Sequence, residues 1–186
     1  MIPDYAGFSM SADSRLMDML TGYAAAHQHP INIAVHLVGI PIIMLGVFIP
    51  MTWLSIEVIN IKLNLAQITL IAMFIFYLTL DWIFAMVFLV MAAAIATLAA
   101  KLGGYPSSTA WIIAGAAFFG GYAAQFVGHA IEKSMPVLVK HPVQANLAAP
   151  FFTIVEIFKL LHLRDEVFTR VQQRIAEIRE QQSNTL

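Results

Sequence analysis

The sequence predicts an all-α, multi-pass membrane helical bundle of four transmembrane spans, with an amphipathic helix before the first and a polar helix after the last. Three observations predict it. The chain of 186 residues is 60% hydrophobic and only 11% charged, whereas a soluble domain carries about a quarter charged residues. Its mean hydropathy is +0.77. Its apolar residues gather in runs long enough to cross the roughly 30 Å hydrocarbon core of a bilayer. So much apolar surface must face lipid, and residues 1–186 read as one membrane-embedded domain.

The first element is a short amphipathic helix over residues 11–28. Ser11 or Ser14 caps it, and Leu16, Leu20, Tyr23 and His27 recur at near-helical spacing. The residues before it lack a basic start followed by an apolar run, so they do not read as a cleavable signal peptide. Pro30 suits the first turn of a new helix, where a missing N–H costs nothing. Span one follows, at about residues 31–50. Thr52 to Asn64, with Glu57 and Lys62, reads as an outer connection.

Leu65 to Ala100 carries one charge, Asp81, and neither Gly nor Pro. As one helix it would run about 54 Å, far more than a bilayer. It is therefore a hairpin of two spans, 65–80 and 82–100, turning around Thr79 to Trp82. Leu102 to Ser108 (LGGYPSS) is a loop. Span four covers 109–129, where Gly115, Gly120 and Gly121 permit close helix contact. Leu147 to Leu161 is apolar but interrupted by Pro150, Glu156 and Lys159. It reads as an interfacial or re-entrant segment, with a fifth span as the alternative. From Arg164 onward the tail is polar, and Val167, Val171, Ile175 and Ile178 stripe a soluble amphipathic helix over 164–186.

Lys and Arg set the orientation. Arg15 and the seven cations after span four lie on one side, while Lys62 and Lys101 lie on the other. The positive-inside rule then makes both ends cytoplasmic. The expectation is an integral multi-pass protein of a bacterial inner membrane or a eukaryotic endoplasmic reticulum. In this topology the start of span one, the span two–three turn and the end of span four share one side.

That side collects the polar residues. One block, Tyr23 to Pro41, holds His27, His29, Asn32 and His36; the other, Gln125 to Pro136, holds His129 and Glu132. Ionisable groups at the mouths of membrane helices are costly to desolvate and mark function. The net charge of −1, with no basic patch, excludes nucleic acid as a partner. The absence of cysteine excludes disulfides, thiolate sites and a cysteine nucleophile, so any metal must be held by His, Asp or Glu.

Spacing limits who acts together. His27 and His36 would sit about 180° apart on one helix, and the break at Pro30 frees them to meet. Asn32 and His36 are i, i+4, as are Tyr23 and His27, and His129 and Glu132 are i, i+3. Three imidazoles and a carboxylate suit Fe(II), Zn or Mn with positions left open. Glu132 either ligates or orients a ring from outside. Asp81 either caps the hairpin turn or joins the site. His29 is an ambiguous further ligand. His141, in a KHP turn, and His162, beside LRDE, read as solvated or interfacial. Glu156 reads as a partner of Lys159 or Lys133.

At these residues the chain resembles the membrane 2-hydroxy fatty acid dioxygenase family, small multi-pass proteins long classed as a domain of unknown function. Its yeast member acts in fatty-acid α-oxidation. The resemblance rests on Tyr23-x3-His27, Asn32-x3-His36-x2-Gly39-x-Pro41, Gln125-Phe126-x-Gly128-His129-x2-Glu132-x3-Pro136, and Ala149-Pro150 with Glu156. It covers roughly residues 15–165. His29 departs from it, standing where relatives often have Asn, and so does Val137, where Ala is common after Pro136.

The resemblance implies an Fe(II) enzyme that uses O2 to cleave C1–C2 of a long-chain 2-hydroxy fatty acid, leaving an acid one carbon shorter. It implies His27, His36 and His129 as metal ligands; Tyr23, Asn32, Glu132 and Asp81 are the candidate catalytic residues around them. A 2-hydroxy carboxylate can chelate a metal, and its tail can stay among the spans in membrane lipid. A homo-oligomer is compatible with this reading. The competing readings of the same histidines are a haem carrier bridging His36 and His129, an ion relay through Asp81 and Glu132, and a non-catalytic scaffold. A di-iron desaturase needs more histidines than the six present.

Overall fold

The apolar runs that begin at Pro30, Leu65, Trp82 and Ser108 start where a polar side chain accepts hydrogen bonds from the free N–H groups of a first helical turn. The computed structural model describes residues 12–25, 27–140 and 142–183. In chain order they form α1 (Ala12–Ala25), α2 (Pro30–Met51), β1 (Ser55–Val58), β2 (Ile61–Asn64), α3 (Leu65–Leu78), α4 (Trp82–Gly103), α5 (Ser108–Glu132), α6 (Val137–Lys140), α7 (Pro142–Leu160) and α8 (Asp165–Ser183). His29 caps α2, Asn64 caps α3 in a reciprocal box with Gln67, Asp81 caps α4 and Ser107 caps α5. Ser14 lies inside α1 rather than ahead of it, and Ser11 lies outside the described residues.

The fold is an all-α bundle with, among the described residues, four helices long and apolar enough to cross a membrane: α2, α4, α5 and α7. Helix α3 has 14 residues, about 21 Å at the helical rise, and falls short of a full bilayer. Besides this shortness of α3, expected as span two over 65–80, two further features differ from the expectations. The outer connection is an antiparallel hairpin that pairs Ser55 with Asn64 and Glu57 with Lys62. Ile59 and Asn60 turn it with φ of 51° and 62°, as a two-residue type I′ loop requires. The apolar segment after span four is also longer than its hydropathy suggested, because Pro142 opens the helix at its first position.

Helix α7 packs its length against one end of the bundle. Tyr122 donates to Asn146 Oδ1 at 2.8 Å and Tyr77 to the Leu147 carbonyl at 2.7 Å. Phe151 meets Tyr77 and Phe84, Phe152 meets Tyr23, and Phe158 meets Phe84 again. These partners lie within about two turns of Asp81, His27 or His129.

Helices α2 and α5 approach most closely. A Cβ on Gly46 would lie 2.6 Å from the Phe118 nitrogen, and one on Gly121 2.5 Å from Ile43 Cγ1. Gly115 and Gly120 have no such neighbour within 4 Å. Of the three glycines expected to ease helix contact, only Gly121 does so.

The tail helix is not a free amphipathic rod. Val167, Val171 and Ile175 are buried, as are Leu16 and Leu20 of α1, and Arg174 pairs with Asp18 across the two helices. Arg15 donates to the Thr79 carbonyl, and Arg164 pairs with Asp81 at 2.7 Å. These links gather α1, the α3–α4 turn and α8 at one end. Single cysteines placed at Ser14 and Ser183 should therefore be labelled from the same side of sealed vesicles. Labelling from opposite sides would overturn this arrangement of the termini.

Candidate metal centre

The break between α1 and α2 and the end of α5 bring His27, His36 and His129 together. All three are buried, with 2%, 3% and 4% exposure. Their ring centroids lie 4.4, 4.8 and 5.0 Å apart in edge-on contacts. One potential ligand nitrogen from each lies within 4.8 Å of the others, and no other such cluster occurs among the described residues.

The outer nitrogen of each ring is already occupied. His27 Nδ1 donates to the Tyr23 carbonyl at 2.8 Å, and His36 Nδ1 donates to the Asn32 carbonyl at 2.9 Å. His129 Nδ1 lies 2.9 Å from the Ser134 hydroxyl. A carbonyl only accepts, so His27 and His36 both carry their proton on Nδ1. Their Nε2 atoms are then lone-pair acceptors, yet they stand 3.2 Å apart. Two lone pairs that close repel unless a cation shares them.

A proton suits that role poorly at His27. Burial, and then the positive charge His36 would carry, push its pKa down to about 3. A metal ion suits it well. Two nitrogens about 2.1 Å from one ion stand about 3.0–3.4 Å apart in octahedral or tetrahedral geometry. Histidine ligands also characteristically donate their second nitrogen to a carbonyl or similar group, as here. The donor set fits an ion. Three rings in mutual contact leave no slot for a porphyrin between His36 and His129.

The other expected residues take distinct places. Tyr23 stacks on His27 at 4.1 Å with planes 6° apart. Glu132 does not face the ring nitrogens. Its Oε1 accepts from the backbone N–H groups of Gln28 and His29, and its Oε2 from the Asn32 amide. It ties the loop carrying His27 to the helix carrying His129. Asn32 is fully buried, and its Oδ1 packs where a Cβ on Gly128 would lie 2.4 Å away.

Asp81 is engaged elsewhere: it caps α4 through Ile83 and Phe84 and pairs with Arg164. His29 accepts from Ile31 N as the cap of α2. Glu156 is buried beside Lys159, 3.4 Å away. His162 is exposed next to Asp165, and His141 lies outside the described residues. Ser134 escaped the sequence reading. It follows Lys133, whose left-handed φ of 57° ends α5 and folds the chain back onto His129. No residue type there marks the turn, since lysine is not one that favours a positive φ.

A cavity opens from the imidazoles and runs between α2, α3, α5 and α7. Near the rings it is lined by Tyr23 and Gln125; Asn146 lines it beside Tyr122, and Ile40, Met44 and Phe48 of α2 and Met73 of α3 line it further in. From His36 to Phe48 it extends about 18 Å along α2 at the helical rise. Its polar end is the histidine cluster and its far end is apolar.

A family model described as 2-hydroxy-palmitic acid dioxygenase Mpo1-like matches residues 14–161, from α1 to the end of α7. No curated protein and no solved structure matches the chain.

Proposed function

Because this chain belongs to the 2-hydroxy-palmitic acid dioxygenase Mpo1-like family, we propose that it is a membrane-embedded, Fe(II)-dependent dioxygenase. It cleaves C1–C2 of long-chain 2-hydroxy fatty acids to give the acid one carbon shorter. The observation that carries the reading is the meeting of His27 Nε2 and His36 Nε2 at 3.2 Å, beside His129, at the polar end of an apolar cavity. Iron, when bound, supplies a redox-active centre for O2 and a Lewis acid for the substrate's hydroxyl and carboxylate.

The chain supplies the rest. His27, His36 and His129 hold the ion, with rings oriented by the Tyr23 and Asn32 carbonyls and the Ser134 hydroxyl. The Tyr23 hydroxyl has no hydrogen-bond partner among the described residues, and it lines the cavity beside His27. There it can bond the substrate head. The apolar walls hold the tail. A zig-zag alkyl chain advances about 1.25 Å per carbon, from bonds of about 1.5 Å and angles of about 111°. The cavity therefore takes about fourteen carbons beyond the head. The reaction balances with one O2 per acid: C2 becomes the new carboxyl carbon, C1 leaves as carbon dioxide, and water is the remaining product.

The test is metal replacement in protein stripped of metal and held in lipid or detergent. Fe(II) in air should restore conversion of 2-hydroxyhexadecanoate to pentadecanoate, and Zn(II) should not, because zinc has no redox chemistry. Hexadecanoate and 2-methoxyhexadecanoate should turn over poorly. Full activity with zinc, or without oxygen, would overturn the reading. Among variants, Tyr23→Phe should lower turnover with little loss of iron. Asn32→Ala should lower both, since it keeps the carbonyl that orients His36 but frees Glu132.

A further inference from the structure

Gln125 stands on α5 one turn before His129, on the same face. Its side chain lies across the backbone of α2 at Gly39, itself three residues after His36. A Cβ on Gly39 would meet Gln125 Cγ at 3.5 Å and Nε2 at 3.6 Å. Both helices thus place this amide one turn below the imidazoles, where the polar end of the cavity gives way to the apolar walls.

The other polar side chains on the cavity wall are mostly satisfied. Tyr122 bonds Asn146, Asn146 also donates to the Pro142 carbonyl, and Thr69 bonds the Met51 sulfur. The Gln125 amide has no hydrogen-bond partner among the described residues, and it is half-buried. An amide left unpaired at membrane depth is costly unless a ligand or water completes it.

We propose that Gln125 binds the head group of the substrate, and that it is a main source of the preference for a 2-hydroxy acid over a plain one. This rests on the reading of the cavity as the site for such acids. The chemistry matches: the amide N–H donates to a carboxylate oxygen, and the amide oxygen accepts from the 2-hydroxyl. A plain fatty acid offers only the first bond. A neutral amide does this without placing a further charge inside the membrane.

The test uses Gln125→Leu, which keeps the bulk without the bonds, and Gln125→Glu, which keeps the shape but replaces the donor with a negative charge. Binding of labelled 2-hydroxyhexadecanoate and of hexadecanoate is measured on metal-free protein in vesicles, alongside iron content and KM of the iron-loaded protein. Both variants should load iron like the wild type. Both should bind the 2-hydroxy acid about tenfold more weakly; Gln125→Leu should also lose most of its advantage over hexadecanoate, whereas Gln125→Glu, which still accepts from the 2-hydroxyl, should weaken both acids and keep that advantage. The Glu variant should be the weaker binder, and KM should rise more than kcat falls. If Gln125→Leu keeps the wild-type binding preference and KM, the proposal is overturned. Binding is read without turnover, so a wild-type protein that binds selectively but oxidises nothing defeats the dioxygenase reading and leaves Gln125 standing.

Discussion

Alanine at His36 should empty the centre of iron and stop turnover, while the protein still inserts and folds. The same result is expected at His27 and at His129. Each ring contributes one of three convergent nitrogens within 4.8 Å, and two remaining imidazoles make a far weaker site for a divalent ion. Insertion depends on the apolar helices, which these substitutions leave intact. Iron content should fall to a small fraction of the wild-type stoichiometry in each single variant and to background in the triple variant. His162→Ala is the control, since that ring is exposed beside Asp165 at the α7–α8 turn, and it should leave iron unchanged. A triple variant that retains full iron would place the metal elsewhere.

Much of this centre was legible because helix punctuation is local. Pro30 forces a break between His27 and His36, so the two rings can turn toward each other instead of pointing apart. Asp81 and the LGGYPSS loop marked where the long apolar stretches must end, and the ends observed are Leu78, Gly103 and Ser108. What could not be read depends on rotation and on partners far along the chain. Which glycine meets a neighbouring helix is set by the facing of α5: Gly121 and Gly128 pack against α2, while Gly115 and Gly120 do not. The contacts of Asp81 required knowing that Arg164, beyond α7, returns to the α3–α4 turn. The hairpin was hidden because Ile59 is a poor advertisement for a positive φ. Spacing leaves Glu132 either ligating or orienting. That choice turns on where two oxygens point, which spacing along α5 does not carry.

Removing the Glu132 carboxylate should loosen the centre without removing a ligand. Its two oxygens accept three hydrogen bonds, from Gln28 N, His29 N and the Asn32 amide. In Glu132→Ala those three donors lose their partner together, and the loop holding His27 is no longer tied to the helix holding His129. Bonds to a charged acceptor are worth about 1.5–3 kcal/mol each, and groups that orient a ligand typically cost about 10–100-fold in metal affinity when lost. Iron affinity should fall within that range, and thermal unfolding should shift downward, in contrast to Tyr23→Phe. Glu132→Gln should be milder. Its amide oxygen still accepts from the two backbone groups, and its NH2 then faces the Asn32 side chain. Asn32 Oδ1 has no hydrogen-bond partner among the described residues, so a flip of the Asn32 amide would turn an acceptor toward the new donor. Titration of iron into the three proteins should rank them wild type, Gln, Ala. If Ala binds iron as tightly as the wild type, Glu132 does not position His27. If Gln is as poor as Ala, the negative charge rather than the hydrogen-bond pattern holds the loop.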